Sequence, residues 1–240
     1  MLTLDLGNRR AKLRRWDAHG VLVRALDQPH GACLSPPAED LWSASRALLS
    51  SVASEGVVRR WTAWAHELGL EWHVPVPQLE LRVSEPASVG HDRLFAAAGA
   101  LLERPAAVVV DVGTALTVDA AGDGAFLGGA IAPGAELGAR ALHDHAALLP
   151  AIEPEPTRRA LGGDTRSALQ AGIVLGLRGA ASALVARAAQ EAGFDLDVPV
   201  VLTGGARALL LEPEPFTTRP IVVEPDLVHR GLLAAAAAGR

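Results

Sequence analysis

The chain contains no tyrosine, a single cysteine, a single methionine and a single lysine, Lys12, among 22 basic residues. The lone cysteine, Cys33, excludes an internal disulfide and a cysteine-based metal centre, and it reads as an inert small residue near a loop. Excess positive charge is also missing. With a net charge of −5 and 20% charged residues, no broad basic field is available to hold nucleic acid or anionic lipid. No continuous run of about 18 apolar residues is present. The opening Met1-Leu2-Thr3-Leu4-Asp5 lacks the basic and apolar segments of a signal peptide. These absences lead us to expect a soluble, cytoplasmic protein with neither nucleic-acid nor membrane partners. What the sequence does have is length and apolar content: 240 residues at 50% hydrophobic suffice for one large core or two modest ones.

Leu2, Leu4 and Leu6 alternate with Thr3, Asp5 and Gly7, the period of a strand with one buried face. A turn at 17–20 and an apolar run at 21–26 extend this into a β-meander. The spacing of Leu41, Trp42, Leu48, Leu49 and Val52 predicts a helix over 39–53, while 57–65 and 72–76 read as strands. Prolines 75, 77 and 86 make 74–87 a crossing loop. Helices are expected over 91–103, 136–147, 165–192 and 226–238, and strands over 108–112, 198–202 and 221–223; the proline-rich 150–163 is an exposed connector.

The second half repeats the plan of the first. Asp5-Leu6-Gly7-Asn8 and Asp111-Val112-Gly113-Thr114 share the pattern acid, apolar, glycine, polar, and each closes a strand followed by an Asp/Gly turn and another apolar run. This predicts an internally duplicated α/β protein, divided at 1–104 and 105–240. All five tryptophans (16, 42, 61, 64 and 72) lie in the first half, whereas alanine and leucine fill the second. The two cores therefore differ in composition.

These strand ends suit phosphoryl chemistry, which needs donors around phosphate oxygens, a divalent ion and a group to orient the acceptor. Gly7 and Gly113 let backbone approach phosphates, and Asn8 and Thr114 can donate to them. Asp5 and Asp111 would act only through a cation or its waters. Lys12 is either a point charge for phosphate or a solvated strand residue. Thr203-Gly204-Gly205 makes a tight strand-to-helix turn with free amides. Gly90-His91-Asp92-Arg93 opens a helix: Asp92 either orients a hydroxyl, with Arg93 forking onto a carboxylate, or caps the helix. His143-Asp144-His145 carries no metal reading, because adjacent helical residues diverge.

Assembled in order, these motifs resemble the type III pantothenate kinases. The resemblance also takes in Gly128-Gly129, Pro133-Gly134, Gly163-Asp164-Thr165, Gln170-Ala171-Gly172 and Asp226-Leu227 with Gly231-Leu232. It implies a two-lobe, ribonuclease-H-like (actin-like ATPase) fold, each lobe a mixed sheet flanked by helices, and a homodimer whose subunit interface completes the substrate pocket. The implied activity is ATP-dependent phosphorylation of pantothenate to 4′-phosphopantothenate, the first step of coenzyme A biosynthesis, with Mg2+ and a monovalent cation, K+ or NH4+. Carried over by motif, Asp92 is the proton acceptor, Gly90, His91, Asp92, Arg93 and Thr165 bind pantothenate, and Asp111 holds the monovalent ion. Asp5, Leu6, Gly7, Asn8, Arg9, Arg10, Ala11, Lys12, Thr114, Gly204 and Gly205 bind ATP. Three departures stand out: Arg9 and Leu116 replace threonines, and the tyrosine usual a few residues before Gly90 is absent, with Val83 and Ser84 in that region. They motivate two alternatives: a non-catalytic nucleotide-binding regulator, or a kinase for another small hydroxylated acceptor.

Overall fold

The computed structural model describes residues 1–30 and 42–238. Cys33 and the start of the helix expected over 39–53 lie outside these residues. The chain divides into two compact units, one comprising Met1–Glu80, Ser84–Glu103 and Asp226–Arg240, the other Leu81–Val83 and Arg104–Pro225. The division set from sequence at 104/105 gives the closing helix to the second unit; in the structure it belongs to the first.

The first unit opens with β1 (Leu2–Leu6), β2 (Arg10–Trp16) and β3 (Leu22–Pro29), an antiparallel meander, followed by β4 (Ala47–Ser51), α1 (Glu55–Glu67) and β5 (Trp72–His73). The sheet order is β3-β2-β1-β4-β5, with β4 parallel to β1 and β5 parallel to β4. Leu2, Leu4, Leu6, Leu13 and Leu49 pack on one face with Trp42, Trp61, Trp64 and Ala65. Two helices, α2 (His91–Ala100) and the closing α6 (Leu227–Ala238), pack closely on each other. α6 also touches β1 and β4. This burial of β1 on both faces explains why its alternating polar residue Thr3 is as inaccessible as its leucines. At the helix crossing a Cβ on Gly231 would collide with the Phe95 carbonyl, so glycine sets how closely α2 and α6 approach.

Two sequence expectations exchange places here. Residues 47–51 form a strand, not part of a helix, because Ala47, Leu48, Leu49 and Ser50 are buried on both faces of a parallel pair, and such a run has no periodicity to separate it from helix. Residues 57–65 form the middle of α1, not a strand. Val57 and Val58 favour strand locally, but Trp61, Trp64 and Ala65 follow the i, i+3, i+4 spacing of a buried helical face. The strand expected over 72–76 ends at His73, ahead of Pro75. The loop expected over 74–87 contains a two-residue strand, β6 (Glu80–Leu81), and a 3-10 turn at Pro86–Ser88.

The second unit contains β7 (Ala106–Val112), β8 (Ala115–Gly122), β9 (Ala125–Pro133), α3 (Ala135–His145), α4 (Thr165–Glu191), β10 (Val200–Thr203), α5 (Ala208–Leu211) and β11 (Ile221–Val223). Its sheet runs β11-β10-β7-β8-β9, with β6 at the edge. β7–β8–β9 is again an antiparallel meander, and β10 lies parallel to both β7 and β11. Removing β6 leaves the strand order of the first unit, so the duplication expected from four residues extends to the whole sheet. Core residues Val108, Val110, Leu116, Val174, Ala181, Val185 and Leu202 join α4 to this sheet.

α4 is a helix long and apolar enough, by length and composition alone, to cross a membrane, although Gln170, Arg178 and Arg187 interrupt its apolar run. Its residues Ala171, Val174, Leu177, Ala181, Val185 and Ala189 are buried in the unit's core. Buried Arg178 on the same helix donates to the carbonyls of Leu209 at 2.9 Å, Glu212 at 2.8 Å and Glu214.

Candidate active site

In the first unit, chemistry-bearing residues gather where the parallel strands β1 and β4 end, the edge at which open α/β sheets bind ligands. Asp5 is 5% exposed and lies in register with Lys12 on β2 and Ser50 on β4. The Lys12 Nζ stands 3.5 Å from Asp5 Oδ2, so the lysine is an ion-pair partner of the acid rather than a solvated strand residue. β1 turns into β2 through residues 7–9, and the turn is closed by Gly7 N donating to Arg10 O at 3.1 Å. Asn8 and Arg10 are exposed at this tip, and Gly7 and Arg9 are half-buried. Leu6 and Ala11 point into the hydrophobic core at 0% and 1% exposure, which leaves only their backbone to meet a ligand.

The start of α2 lies at the same edge. Val52 N donates to Leu6 O at 3.0 Å, and Val52 Cγ1 lies 3.6 Å from where a Gly90 side chain would begin. Gly90 is the N-cap of α2 and Asp92 is in the first turn, so Asp92 is not the cap residue. Its Oδ1 accepts from the Arg93 amide at 2.8 Å. A Cβ on Gly90 would come within 2.6 Å of that oxygen, so glycine keeps the space beside the acid open. Arg93 is half-buried and His91 is exposed, with its ring edge against Phe95 at 6.2 Å between centroids.

Behind this edge the sheet is polar. Thr3 Oγ1 accepts from Trp16 Nε1 at 2.7 Å and lies 2.8 Å from His229 Nδ1 on α6. Arg14, next along β2, donates to Asp226 at 2.6 Å and Asp27 at 2.5 Å. Burial, reinforced by Arg14 and Lys12, holds the His229 ring well below its ordinary pKa, so it is neutral.

The second unit builds the equivalent edge. Asp111 near the end of β7 is in register with Thr203 of β10 and Thr117 of β8. The β7–β8 turn is closed by Gly113 N donating to Ala115 O at 2.9 Å, and Gly134 N donates to Thr114 O at 3.0 Å. Gly204 takes φ +95°, and a Cβ there would strike the Val112 carbonyl and come within 2.5 Å of Asp111 Oδ1. Its conformation thus carries the chain over the acid and exposes Gly205 at the turn. Leu116, one of the departures noted above, is fully buried in this unit's core. Thr165 is the exposed first residue of α4, behind a capping box of Asp164 and Ser167.

Asp5, Gly7, Asn8, Lys12 and Gly90–Arg93 are therefore brought together in the first unit, and Asp111, Gly113, Thr114, Gly204 and Gly205 in the second. Two residues of the first edge escaped sequence reading: Ser50, fully buried beside Asp5, and His30, whose Nε2 lies 2.6 Å from Gly7 O. Ser50 was hidden because its strand reads as helix, and no local pattern marks His30. His143 instead bonds the Leu149 carbonyl at 2.9 Å, and no cluster of three His, Cys, Asp or Glu exists among the described residues. One carboxylate at each strand end fits a cation that completes its shell with substrate phosphates and waters, not an all-protein cage.

Two α/β units of one strand order, each with an acid and a glycine turn at its strand end, define the actin-like ATPase and sugar-kinase fold. Solved structures agree on that fold. A Baf family transcriptional activator from Campylobacter jejuni matches with TM-score 0.64 at 18% identity, covering 100% of this chain and 98% of that one. A 2-dehydro-3-deoxygalactonokinase protein from Sinorhizobium meliloti matches with TM-score 0.56 at 14% identity, covering 99% and 98%. The family model for type III pantothenate kinase matches residues 1–187, and the chain belongs to that family. A type III pantothenate kinase of Caulobacter vibrioides is 42% identical over 159 residues, 65% of this chain and 59% of the relative. One from Anaeromyxobacter sp. is 34% identical over 208 residues, 82% of this chain and 76% of the relative. The match to the Caulobacter protein thus spans less than two thirds of that relative's length.

Proposed function

We propose that the protein transfers the γ-phosphoryl group of ATP to the primary hydroxyl of pantothenate, giving 4′-phosphopantothenate and ADP. The observation that carries this reading is the convergence of the glycine turn at Gly7, the Asp5–Lys12 pair and the Asp92 turn on one sheet edge, in a chain of this family. The acceptor oxygen forms its bond to Pγ as the bond from Pγ to the β-bridging oxygen breaks. Asp92 orients the hydroxyl and takes its proton late, because the loose transition state asks little of a base beforehand. Arg93 holds the pantothenate carboxylate. The amides near Gly7, with Asn8, Arg9, Arg10 and Lys12, hold the polyphosphate, and the turns at Thr114 and Gly204–Gly205 of the second unit offer donors of the same kind. Mg2+ and a monovalent cation at Asp111, K+ or NH4+, would offset phosphate charge when bound. A cytoplasmic homodimer completes the proposal.

The Arg9 substitution and the lack of any tyrosine favour a second reading, a nucleotide-binding regulator without turnover. Both are tested by following ADP release with and without pantothenate and K+. Pantothenate-dependent release that falls at least about 100-fold in Asp92→Asn supports the kinase. Tight ATP binding with no turnover on pantothenate, sugars or hydroxy acids supports the regulator.

A further inference from the structure

We propose that His30 is a positioning residue that sets the orientation of the phosphate-facing amide in the β1–β2 turn; the inference rests on the ATP-phosphate reading of that turn. His30 follows β3 directly and holds the turn at two points. Its backbone N donates to Arg9 O at 3.0 Å, and its ring Nε2 lies 2.6 Å from Gly7 O. A carbonyl oxygen only accepts, so Nε2 carries the hydrogen. His30 is itself anchored, because Arg60 on α1 donates to its carbonyl.

The consequence follows from peptide geometry. Gly7 C=O and Asn8 N–H belong to one planar trans peptide and point in opposite directions. Drawing the Gly7 carbonyl onto His30 therefore turns the Asn8 amide away from β3. Arg9 C=O and Arg10 N–H obey the same rule. The Gly7 amide is already committed to Arg10 O. A turn without His30 is free to rotate the Gly7–Asn8 peptide, which would present a carbonyl oxygen to an anion in place of a donor. A residue that never touches nucleotide thus fixes the sign of the dipole that the phosphate meets.

The experiment compares the full chain with His30→Phe, which keeps bulk without a donor, and His30→Gln, whose side-chain amide nitrogen reaches about as far as Nε2. ATP and adenosine affinities are measured by titration calorimetry, together with the melting temperature. Loss of one orienting hydrogen bond predicts about tenfold weaker ATP binding in His30→Phe. Adenosine binding is unchanged and His30→Gln returns close to the parent. Hydrogen exchange of the unmodified chain gives an arm independent of the variants: ATP protects the Asn8 amide and adenosine does not. ATP affinity equal in His30→Phe and the parent, or an Asn8 amide unprotected by ATP, overturns the role of His30 alone. A parent chain that binds no ATP overturns the phosphate reading and this inference with it.

Discussion

Acidification should destabilise the first unit through one histidine. His229 on α6 is 1% exposed, its Nδ1 is engaged with Thr3, and its Nε2 finds no hydrogen-bond partner among the described residues. A second proton would make both ring nitrogens donors in a site that already faces Arg14 and Lys12, and burial together with those cations holds the folded-state pKa well below 6.5. The unfolded chain takes up that proton near 6.5 and the native one does not. Stability is therefore fully present above that pH and declines as pH falls below it, by about 1.4 kcal/mol per pH unit. The decline continues until the pH reaches the folded-state pKa, and about one or two kcal/mol is a large fraction of the stability of a domain. All five tryptophans lie in the first unit, so urea unfolding followed by tryptophan emission at pH 7.5, 6 and 5 reads this unit. His229→Asn, which keeps a polar group near Nδ1 but does not titrate, should lower stability at pH 7.5 and flatten the pH dependence. Equal slopes in parent and variant would refute the argument, because the acid loss would then belong to other groups.

Two further substitutions test the second unit. Gly204→Ala places a Cβ against the Val112 carbonyl at a left-handed φ, and the combined backbone and crowding cost is about 2–4 kcal/mol, seen as a lower melting temperature. Arg178→Leu removes the donor shared by three carbonyls of residues 209–214, and we expect a loss of about 2–4 kcal/mol in urea unfolding followed by far-ultraviolet circular dichroism. A melting temperature unchanged in Gly204→Ala would mean that the turn after β10 relaxes around the new methyl group. An unchanged urea midpoint in Arg178→Leu would mean that water replaces the guanidinium.

What the sequence discloses, and what it hides, divides along a physical line. Period-two alternation in β1 and the apolar run of β7 are local signals, and both strands fall where expected. The acids at positions 5 and 111 are legible through these signals, since Asp5 is a polar member of the alternation and Asp111 interrupts the apolar run. β4 and α1 are not legible. β1, though buried on both faces, keeps its alternating Thr3 and Asp5, whereas β4 opens with the unbroken run Ala47-Leu48-Leu49, and tryptophans on a helical face resemble strand composition. The return of α6 to the first unit is equally hidden, because an alanine- and leucine-rich helix suits either core, and the decisive contacts, Thr3 with His229 and Arg14 with Asp226, span most of the chain.

Misreading β4 also concealed the strongest sign of duplication. Once β4 is a strand, Ser50 beside Asp5 corresponds to Thr203 beside Asp111, each a buried hydroxyl on the parallel neighbour of the strand that bears the acid. The antiparallel neighbours differ: Lys12 faces Asp5, and Thr117 faces Asp111. A carboxylate held beside an ammonium and one in register with two hydroxyls present different fields to a polyphosphate, although their backbones are equivalent. The frame is thus shared by both halves, while the residue that faces the acid differs in charge. Exchanging that one residue type between the units, by Lys12→Thr, would make the first edge carry the second edge's pattern. We expect weaker ATP binding, measured by calorimetry, with the sheet preserved. ATP affinity unchanged by this exchange would show that the lysine serves the fold through Asp5 and takes no part in holding phosphate.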